Sequence, residues 1–346
     1  MFLGIEIGGT KLQLGVGAGD GVLVAIERFD VVPKRGAIGI LEQIAAAGRE
    51  LIERHHVRGV GFGFGGPIDA ATGTVVKSHH VEGWDNFPLG QWCSHELGLP
   101  ATIENDCDAA GLAEAHFGAG QGRNPVFYVT VGTGIGGGLV VGGEIYRGCG
   151  HGAAEIGHLR PGVLADRPES TVESLASGWG IAAAAQNRLS EPISHAFVSL
   201  TAGLRGAKPD EVRQRLIENE EAEAENSADL WERCDGKPVK LTARMVAEAA
   251  AAGNEIAIEV LARATQALGW GIAQAITLMS PEVVVLGGGV SLAAEELFLE
   301  PLRVEVERYV FPPLSGKFQI VPAELGETVV VHGALAAARS HASVAK

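Results

Sequence analysis

The pattern of apolar and polar positions along the chain predicts alternating strands and helices. Residues 2–7 (FLGIEI) carry branched apolar side chains, and two further apolar runs, LQLGVG and VLVAIERF, follow the GGTK segment. These three runs predict a meander of strands. Apolar residues at helical spacing over about 37–56 predict a helix, which the strand VRGVGFGF follows. The strand ATIEN then leads into the Ala-rich helix DAAGLAEAHFG.

The same order of elements recurs in the second half of the chain. It begins with VFYVTV at 126–131, GTGIGGG and LVVGGEIY, and continues with helices at about 243–253 and 255–279, the strand EVVVL, the strand KFQIVPA and the closing helix HGALAAARS. Two copies of β-β-β-α-β-α-β-α indicate an internal duplication. We therefore expect two similar α/β domains that face a cleft.

Composition and charge indicate how many domains to expect and which kinds of binding partner to exclude. The chain has 346 residues and a formal charge of −15, with no basic tract, so we expect two domains and no nucleic-acid partner. Its four cysteines have no C-x-x-C spacing, which is typical of reduced thiols. No leader pattern and no membrane-spanning apolar stretch is found, so we expect a cytoplasmic protein without a membrane partner.

An acidic stretch interrupts the second copy at about 185–238. One hypothesis is a solvated surface helix, or a pair of helices, inserted in the second domain. The other is a mobile cap over the cleft, since lids are often formed by loosely packed insertions.

Glycine-rich turns follow the first strand of each copy. GTGIGGG at 132–138 has the spacing of a dinucleotide fingerprint, but that fingerprint opens a helix and a strand-like run follows here. The turn is therefore predicted to be the tip of a hairpin. Its glycines let backbone N–H groups approach a phosphate, and Thr133 adds a hydroxyl. GGTK repeats this chemistry with Thr10 and Lys11. Together with the three glycines that end EVVVL, these turns predict a nucleotide clamped between the domains.

Eight segments together carry a resemblance to a known family. They are GIEIGGTK, GFGFGGPID, GWDNFPL, IENDCDAAGLAE, VTVGTGIGGGLVVGGEIYRG, AAEIGHL, VESLASG and PEVVVLGGGV. In this order they resemble the ROK family (repressor, open reading frame, kinase) of the actin-like ATPase superfamily. The resemblance implies an α/β fold of two duplicated ribonuclease-H-like domains, each a mixed β-sheet with flanking helices, around an interdomain cleft. The expected domains are 1–119 plus 327–346, and 120–326 with the 185–238 insertion.

The resemblance also implies a set of site residues. Asp106 matches the general base, which accepts the proton of a sugar hydroxyl. The implied sugar-binding residues are Gly66, Asn105, Asp106, Glu155, His158 and Glu173. The implied nucleotide-binding residues are Gly8, Gly9, Thr10, Lys11, Gly132, Thr133, Gly134, Gly136, Gly287, Gly288 and Gly289. Glu6 is expected to serve Mg²⁺ through water. Taken alone, the Asn105-Asp106 pair predicts a helix N-cap.

The activity implied is ATP- and Mg-dependent phosphorylation of a hexose hydroxyl, with O6 of glucose as the favoured acceptor. Fructose, mannose or an N-acetylhexosamine is the alternative substrate, and a sugar-sensing regulator that does not bind DNA is the alternative class. Family repressors carry a helix-turn-helix before the first phosphate turn, and only three residues precede Gly4 here. A homodimer is expected.

Three departures from the family pattern limit how far its site residues can be carried over to this chain. One is the 185–238 insertion, which is longer than expected of the family. Most members carry a C-x-C-x-x-x-x-C cluster that binds zinc together with the histidine of the His motif, whereas this chain has HLRPGVLADRPESTVE there. One imidazole without thiolates makes no tetrahedral site, so we expect no zinc at His158. His80 stands where an Asn often contacts the sugar, which leaves the identity of the substrate open.

Overall fold

A computed structural model describes residues 1–78, 81–149, 152–162, 167–190, 209–290 and 295–344, without the side chains of 209–220 and 344. Its strands are β1 Phe2–Ile7, β2 Lys11–Gly17, β3 Leu23–Asp30, β4 Val60–Phe64, β5 Ile68–Asp69, β6 Thr74–Val75, β7 Ala101–Asn105, β8 Val126–Val131, β9 Ile135–Val141, β10 Glu144–Ile145, β11 Val283–Gly287 and β12 Gln319–Pro322. Its α-helices are α1 Gly36–His55, α2 Leu89–Glu96, α3 Asp106–Phe117, α4 Val172–Ala176, α5 Gly178–Ser190, α6 Pro209–Arg233, α7 Ala243–Ala251, α8 Glu255–Met279, α9 Leu299–Tyr309 and α10 Val329–Val344.

Two five-stranded sheets share one plan. The first has the order β3-β2-β1-β4-β7 and the second has the order β10-β9-β8-β11-β12. In each sheet the first three strands form an antiparallel meander, and the last two continue parallel to the first. Parallel neighbours require crossover connections, which α1 and α8 supply. The predicted α/β class and internal duplication are therefore confirmed.

Helices α3 and α10 pack against each other between the two sheets, and glycine makes this packing possible. A Cβ atom at Gly61 would lie 1.9 Å from the carbonyl oxygen of Ala334, and one at Gly333 would lie 1.8 Å from that of Ala109. Both distances are far below van der Waals contact, so α10 reaches the first sheet and α3 only because these positions lack a side chain. The final helix of the chain is thereby fixed against the first strands.

Each sheet has a core on its outer face. Helix α1 packs against the first sheet through Ile40, Ile44 and Leu51, and α8 packs against the second through residues such as Leu268 and Ile272, all of which are buried. These positions recur four or seven residues apart, which is the spacing of one helical face. The helices that the apolar pattern predicts most strongly are therefore the two that cover the sheets.

Several elements differ from the sequence expectation. Helices α4 and α5 and the β5–β6 hairpin have no counterpart in the predicted order, whereas α2 and α9 lie where that order has a helix to which no residues were assigned. Gly136, Gly137 and Gly138 belong to strand β9, so the tip of the predicted hairpin is confined to residues 132–134. The prediction assigns all seven residues of GTGIGGG to the turn because consecutive glycines are typical of turns. In the structure the last three glycines lie in a strand, where the lack of a side chain permits close packing.

Within the 185–238 insertion, residues 191–208 lie outside the described part of the chain, and Pro209–Arg233 form the long helix α6. Loose packing is wrong for the end of this helix, because Leu230 is fully buried and Cys234, just after it, is buried as well. Arg188 on α5 pairs with Glu223 on α6 at 2.9 Å. The Asn254 amide also donates to Asp229 at 2.8 Å. This end of the insertion is therefore part of the second core.

Candidate active site

One cleft between the two sheets, with a volume of about 1670 Å³, gathers most of the predicted site residues. Those that line it are Glu6, Gly8, Gly9, Thr10, Lys11, Gly66, Asn105, Asp106, Gly132, Thr133, Gly134, Gly136, Glu155, His158, Glu173 and Gly289. Gly287 and Gly288 lie outside this lining. His80 falls outside the residues that the structure describes.

Asn105 is the N-cap of α3. Its Oδ1 accepts hydrogen bonds from the backbone N–H groups of Cys107 at 2.8 Å and Asp108 at 3.3 Å. Its Nδ2 donates to the Gly66 carbonyl at 3.1 Å. Both lone pairs of Oδ1 are therefore in use, and one N–H of the amide is left to meet a ligand. A side-chain amide can offer a ligand both a donor and an acceptor, but at Asn105 only the donor is left.

Asp106 is the first residue of α3 and lies where β7 ends. Its Oδ1 accepts from the Cys107 N–H at 2.9 Å. Burial raises the pKa of Asp106 and the hydrogen bond from Cys107 opposes this, while the nearby Glu155 carboxylate raises the pKa further. A carboxylate with a raised pKa is a better proton acceptor than one in water. Asp106 is therefore suited to general-base chemistry.

The first glycine turn is surrounded by a small charged network. Glu6 Oε1 lies 3.3 Å from Lys11 Nζ, and Glu6 Oε2 accepts from the buried Gln13 amide at 2.6 Å. Burial raises the pKa of Glu6 and Lys11 opposes this. Lys11 Nζ and Gln13 Nε2 both also donate to the carbonyl of Glu327, just before α10. Sequence reasoning missed Gln13, because a lone glutamine inside a strand gives no signal.

Glu173 supports the second glycine turn. Its Oε2 accepts from the Ile135 N–H at 2.9 Å, just after the turn. The Gly178 N–H, at the start of α5, donates to the Gly132 carbonyl at 2.8 Å. One carboxylate oxygen of Glu173 therefore holds the turn, and the other remains for a ligand in the cleft.

Three of the predicted nucleotide-binding glycines permit close packing instead of, or besides, facing the cleft. A Cβ at Gly136 would lie 2.4 Å from Cys107 Sγ, and one at Gly287 would lie 2.1 Å from Tyr128 Oη. Gly288 has φ +92, and its Cβ would meet the Val131 carbonyl oxygen at 2.5 Å. Packing thus accounts for glycine at these positions. Of the three glycines at the end of β11 and just after it, only Gly289 lines the cleft.

Glu155 and His158 project into the cleft from a short segment before α4. Ala154, which precedes them, has φ +61, a left-handed conformation that is rare for alanine and is found at functional sites. Withdrawal from solvent raises the pKa of Glu155, His158 opposes this, and Glu173 adds to it. The two carboxylates therefore lie close enough to interact.

A second arm of the cleft, which sequence reasoning missed, extends between α5 and α7. Its lining includes Trp179, Gln186, Leu241 and Arg244. The Gln186 amide donates to the Leu241 carbonyl at 3.2 Å, which joins the two walls. The half-exposed Trp179 beside the second glycine turn was the available signal. A flat apolar wall beside a glycine turn suits the base of a nucleotide.

Metal sites and membrane spans were sought among the described residues. No group of three or more His, Cys, Asp or Glu side chains is placed there to hold a metal ion. Mg²⁺ is commonly bound by one or two carboxylates with water and substrate phosphates. Glu6 is a carboxylate that lines the cleft, and Lys11 and Gln13 already contact its two oxygens. None of the described helices has the length and hydropathy needed to cross a bilayer.

Comparison with known proteins gives consistent matches over the whole chain. The model of the ROK family matches residues 2–341. A glucokinase of Thermotoga maritima is 30% identical over 332 residues, which are 96% of this chain and 95% of that protein. A ROK family glucokinase from Streptomyces griseus, solved in complex with glucose and AMPPNP, superimposes with a TM-score of 0.76 at 30% identity and covers 98% of this chain and 99% of its own.

A ROK hexokinase from Thermus thermophilus has the same TM-score of 0.76 at 27% identity, with 99% of both chains covered. The fold is accordingly that of the actin-like ATPases. The family match and the glucokinase relative both span nearly the full length, so the chain belongs to the ROK family.

Proposed function

We propose that this protein is a sugar kinase that transfers the γ-phosphoryl group of ATP to a hydroxyl of a hexose. The observation that carries the proposal is the position of Asp106 at the start of α3, in a cleft that both glycine turns and Glu155 also line. Such a cleft brings a proton acceptor, phosphate-binding backbone groups and polyol-binding carboxylates together, which is what phosphoryl transfer to an alcohol requires.

In the proposed complex the nucleotide base lies in the arm beside Trp179, and the phosphates lie between the two glycine turns. Thr10, Thr133 and Lys11 face the phosphates. Mg²⁺, held through water by Glu6, would neutralise phosphate charge when bound. The AMPPNP complex of the similar Streptomyces griseus enzyme supports ATP as the donor.

The sugar is proposed to lie between Gly66, the free N–H of Asn105, Asp106 and the two carboxylates of Glu155 and Glu173. Carboxylates accept the protons that sugar hydroxyls offer. Asp106 takes the proton of the attacking sugar hydroxyl while the oxygen of that hydroxyl bonds to the γ-phosphorus. The bond between this phosphorus and the oxygen that bridges it to the β-phosphate breaks, which releases ADP.

Glucose, phosphorylated at O6, is the proposed substrate. Similarity to glucokinases at about 30% identity supports it. Fructose, mannose and N-acetylhexosamines are the alternatives that the same carboxylates would accept.

A coupled ADP-release assay over a panel of hexoses tests the proposal. We expect glucose to give the highest kcat/KM and Asp106→Asn to lower kcat by about 10²- to 10⁴-fold, because the amide cannot accept the proton. Equilibrium binding of glucose and of a non-hydrolysable ATP analogue to the variant should stay within roughly tenfold, since its shape is kept. Absence of ADP release with every hexose would refute the function, and a variant with more than half of the wild-type kcat would refute the base.

A further inference from the structure

An ion pair joins the two halves of the molecule two residues before the proposed base in the chain. Arg147 follows β10, an edge strand of the second sheet, and Glu104 lies in β7, an edge strand of the first. Arg147 Nη1 donates to Glu104 Oε2 at 2.5 Å, and Nη2 donates to Oε1 at 2.7 Å. This fork-to-fork arrangement fixes both the distance and the angle between the groups.

The pair is not an ordinary surface contact. The Glu104 side chain is only 6% exposed, against 43% for Arg147. A second carboxyl, Asp108, is buried beside them and has an Oδ1 without a hydrogen-bond partner among the described residues. Arg147 therefore faces two carboxyl groups that the protein interior withdraws from water. A buried carboxylate that loses its cationic partner is strongly destabilised.

Each partner precedes, in the sequence, a segment that carries residues of the proposed active site. Glu104 is two residues before Asp106, at the point where β7 becomes α3. Arg147 is eight residues before Glu155 in the sequence, and residues 150 and 151 between them lie outside the described part of the chain. The described ends of this segment meet, since a Cβ at Gly148 would lie 3.5 Å from that of Ala153. Asn105 ties the Asp106 turn to Gly66 within the first half, and Cys107 packs the start of α3 against β9 of the second. The ion pair is a contact that ties this turn to the segment of the second half.

We propose that Arg147 is a positioning residue: by binding both oxygens of Glu104 it fixes the turn that carries Asp106 relative to the segment that carries Glu155. This inference rests on the proposed function and deepens it. Arg147 touches neither substrate. It sets the distance between the base and the groups that orient the sugar, on which the rate of transfer depends steeply.

The test replaces Arg147 by Met, which keeps the length and apolar stem but removes the fork. We expect kcat with the best hexose to fall about 10- to 100-fold while KM for ATP stays within about twofold, because a displacement near 1 Å is enough for such a loss. Arg147→Lys keeps the charge and one hydrogen bond, so it should recover part of kcat. The matched control is Arg49→Met, which removes an Arg–Glu pair of 2.7 Å between α1 and α2, far from the cleft.

A double variant separates positioning from stability. Glu104→Gln in the Arg147→Met background removes the unpaired buried carboxylate, so the thermal midpoint should recover. If Arg147 positions the turn, kcat stays low in the double variant although stability returns. Recovery of kcat together with stability, or an Arg147→Met enzyme as active as Arg49→Met, would overturn the inference and leave the proposed function standing. A wild-type protein without activity on any hexose would overturn both.

Discussion

Asp108, two residues after the proposed base, is a buried carboxyl whose pKa is raised. Burial raises its pKa from 3.8 to about 7, the Glu104 carboxylate adds to the shift, and Arg147 opposes it. Near pH 6 the folded protein therefore holds a proton that the unfolded chain has lost. Stability must fall as the pH rises from about 4 to 7, because the unfolded state binds fewer protons there.

Replacing Asp108 by Asn removes this penalty. We expect Asp108→Asn to raise the free energy of unfolding, by a margin that is on the order of 2 kcal/mol larger at pH 8 than at pH 5. Denaturant unfolding at the two pH values measures it, with Asp85→Asn, at an exposed carboxylate, as the control. A gain that does not depend on pH would contradict a buried, titrating Asp108.

His158 leads to a second prediction for single residues. A structural zinc needs four ligands, and the segment that follows His158 contains no cysteine. We expect chelator-washed protein to contain no zinc by elemental analysis and to keep its thermal midpoint. One zinc per chain, with a loss of stability on its removal, would mean that other ligands have replaced the thiolates.

At the scale of elements, helix α3 shows how one carboxylate joins distant parts of the chain. Glu114 is fully buried, and its oxygens accept from the backbone N–H groups of Ala119 at 2.8 Å, Glu324 at 3.0 Å and Leu325 at 2.9 Å. Ala119 lies on the connection from the first half to the second, and the other two lie on the connection that returns. Glu114 therefore binds both of the chain connections that run between the two halves.

The prediction is that Glu114→Gln lowers the free energy of unfolding by about 2 kcal/mol, since the amide replaces one acceptor oxygen by a donor that faces a buried N–H. Thermal and urea unfolding measure the change. Glu96→Gln, at a partly exposed carboxylate paired with Arg49, should change stability by less than about 1 kcal/mol. Equal effects at both positions would show that the buried N–H groups do not depend on the carboxylate.

The success of sequence reasoning also differed between elements. The strands that begin each half were predicted because they are short, nearly continuous apolar runs, and the long helix α8 was predicted because its apolar positions recur with a helical period. Helix α5 was not predicted because GWGIAAAAQNRLS is Ala-rich and has no apolar stripe. Residues were not assigned to α2 because its eight residues are too few to show a helical period. The missed arm of the cleft follows from this, because α5 is one of its walls.

The candidate site was predicted where a motif marks it and missed where tertiary packing forms it. Asp106 and Glu155 belong to recognisable segments. Gln13 and Arg147 become significant only when the sheets and their edges are placed beside each other, and no local pattern reports that placement. The helix cap and the binding role of Asn105 were treated as alternatives, yet the cap leaves one N–H free, so a single residue can serve both.

For the whole molecule, the duplicated sheets suggest two bodies joined by few connections. We propose that 1–119 with 327–346 forms one body and that 120–326 forms the other. The proposed sugar site takes Asp106 from the first and Glu155 and Glu173 from the second. The glycine turns are likewise divided between the two. The Glu104–Arg147 pair holds the Asp106 and Glu155 segments together at the sugar end, so the movement that remains is one that brings the two glycine turns toward a single nucleotide.

We expect the cleft to close when the sugar binds. Closure would exclude water from the γ-phosphate and assemble the site only when an acceptor is present, which suppresses hydrolysis of ATP. Small-angle scattering with and without saturating sugar should show a smaller radius of gyration in the complex, and ATP hydrolysis should be slow without sugar. Asp106→Asn is a useful control, because it should close on binding sugar although transfer is lost. An unchanged radius of gyration, together with ATP hydrolysis as fast without sugar as with it, would mean that the site is preformed in a rigid pair of domains.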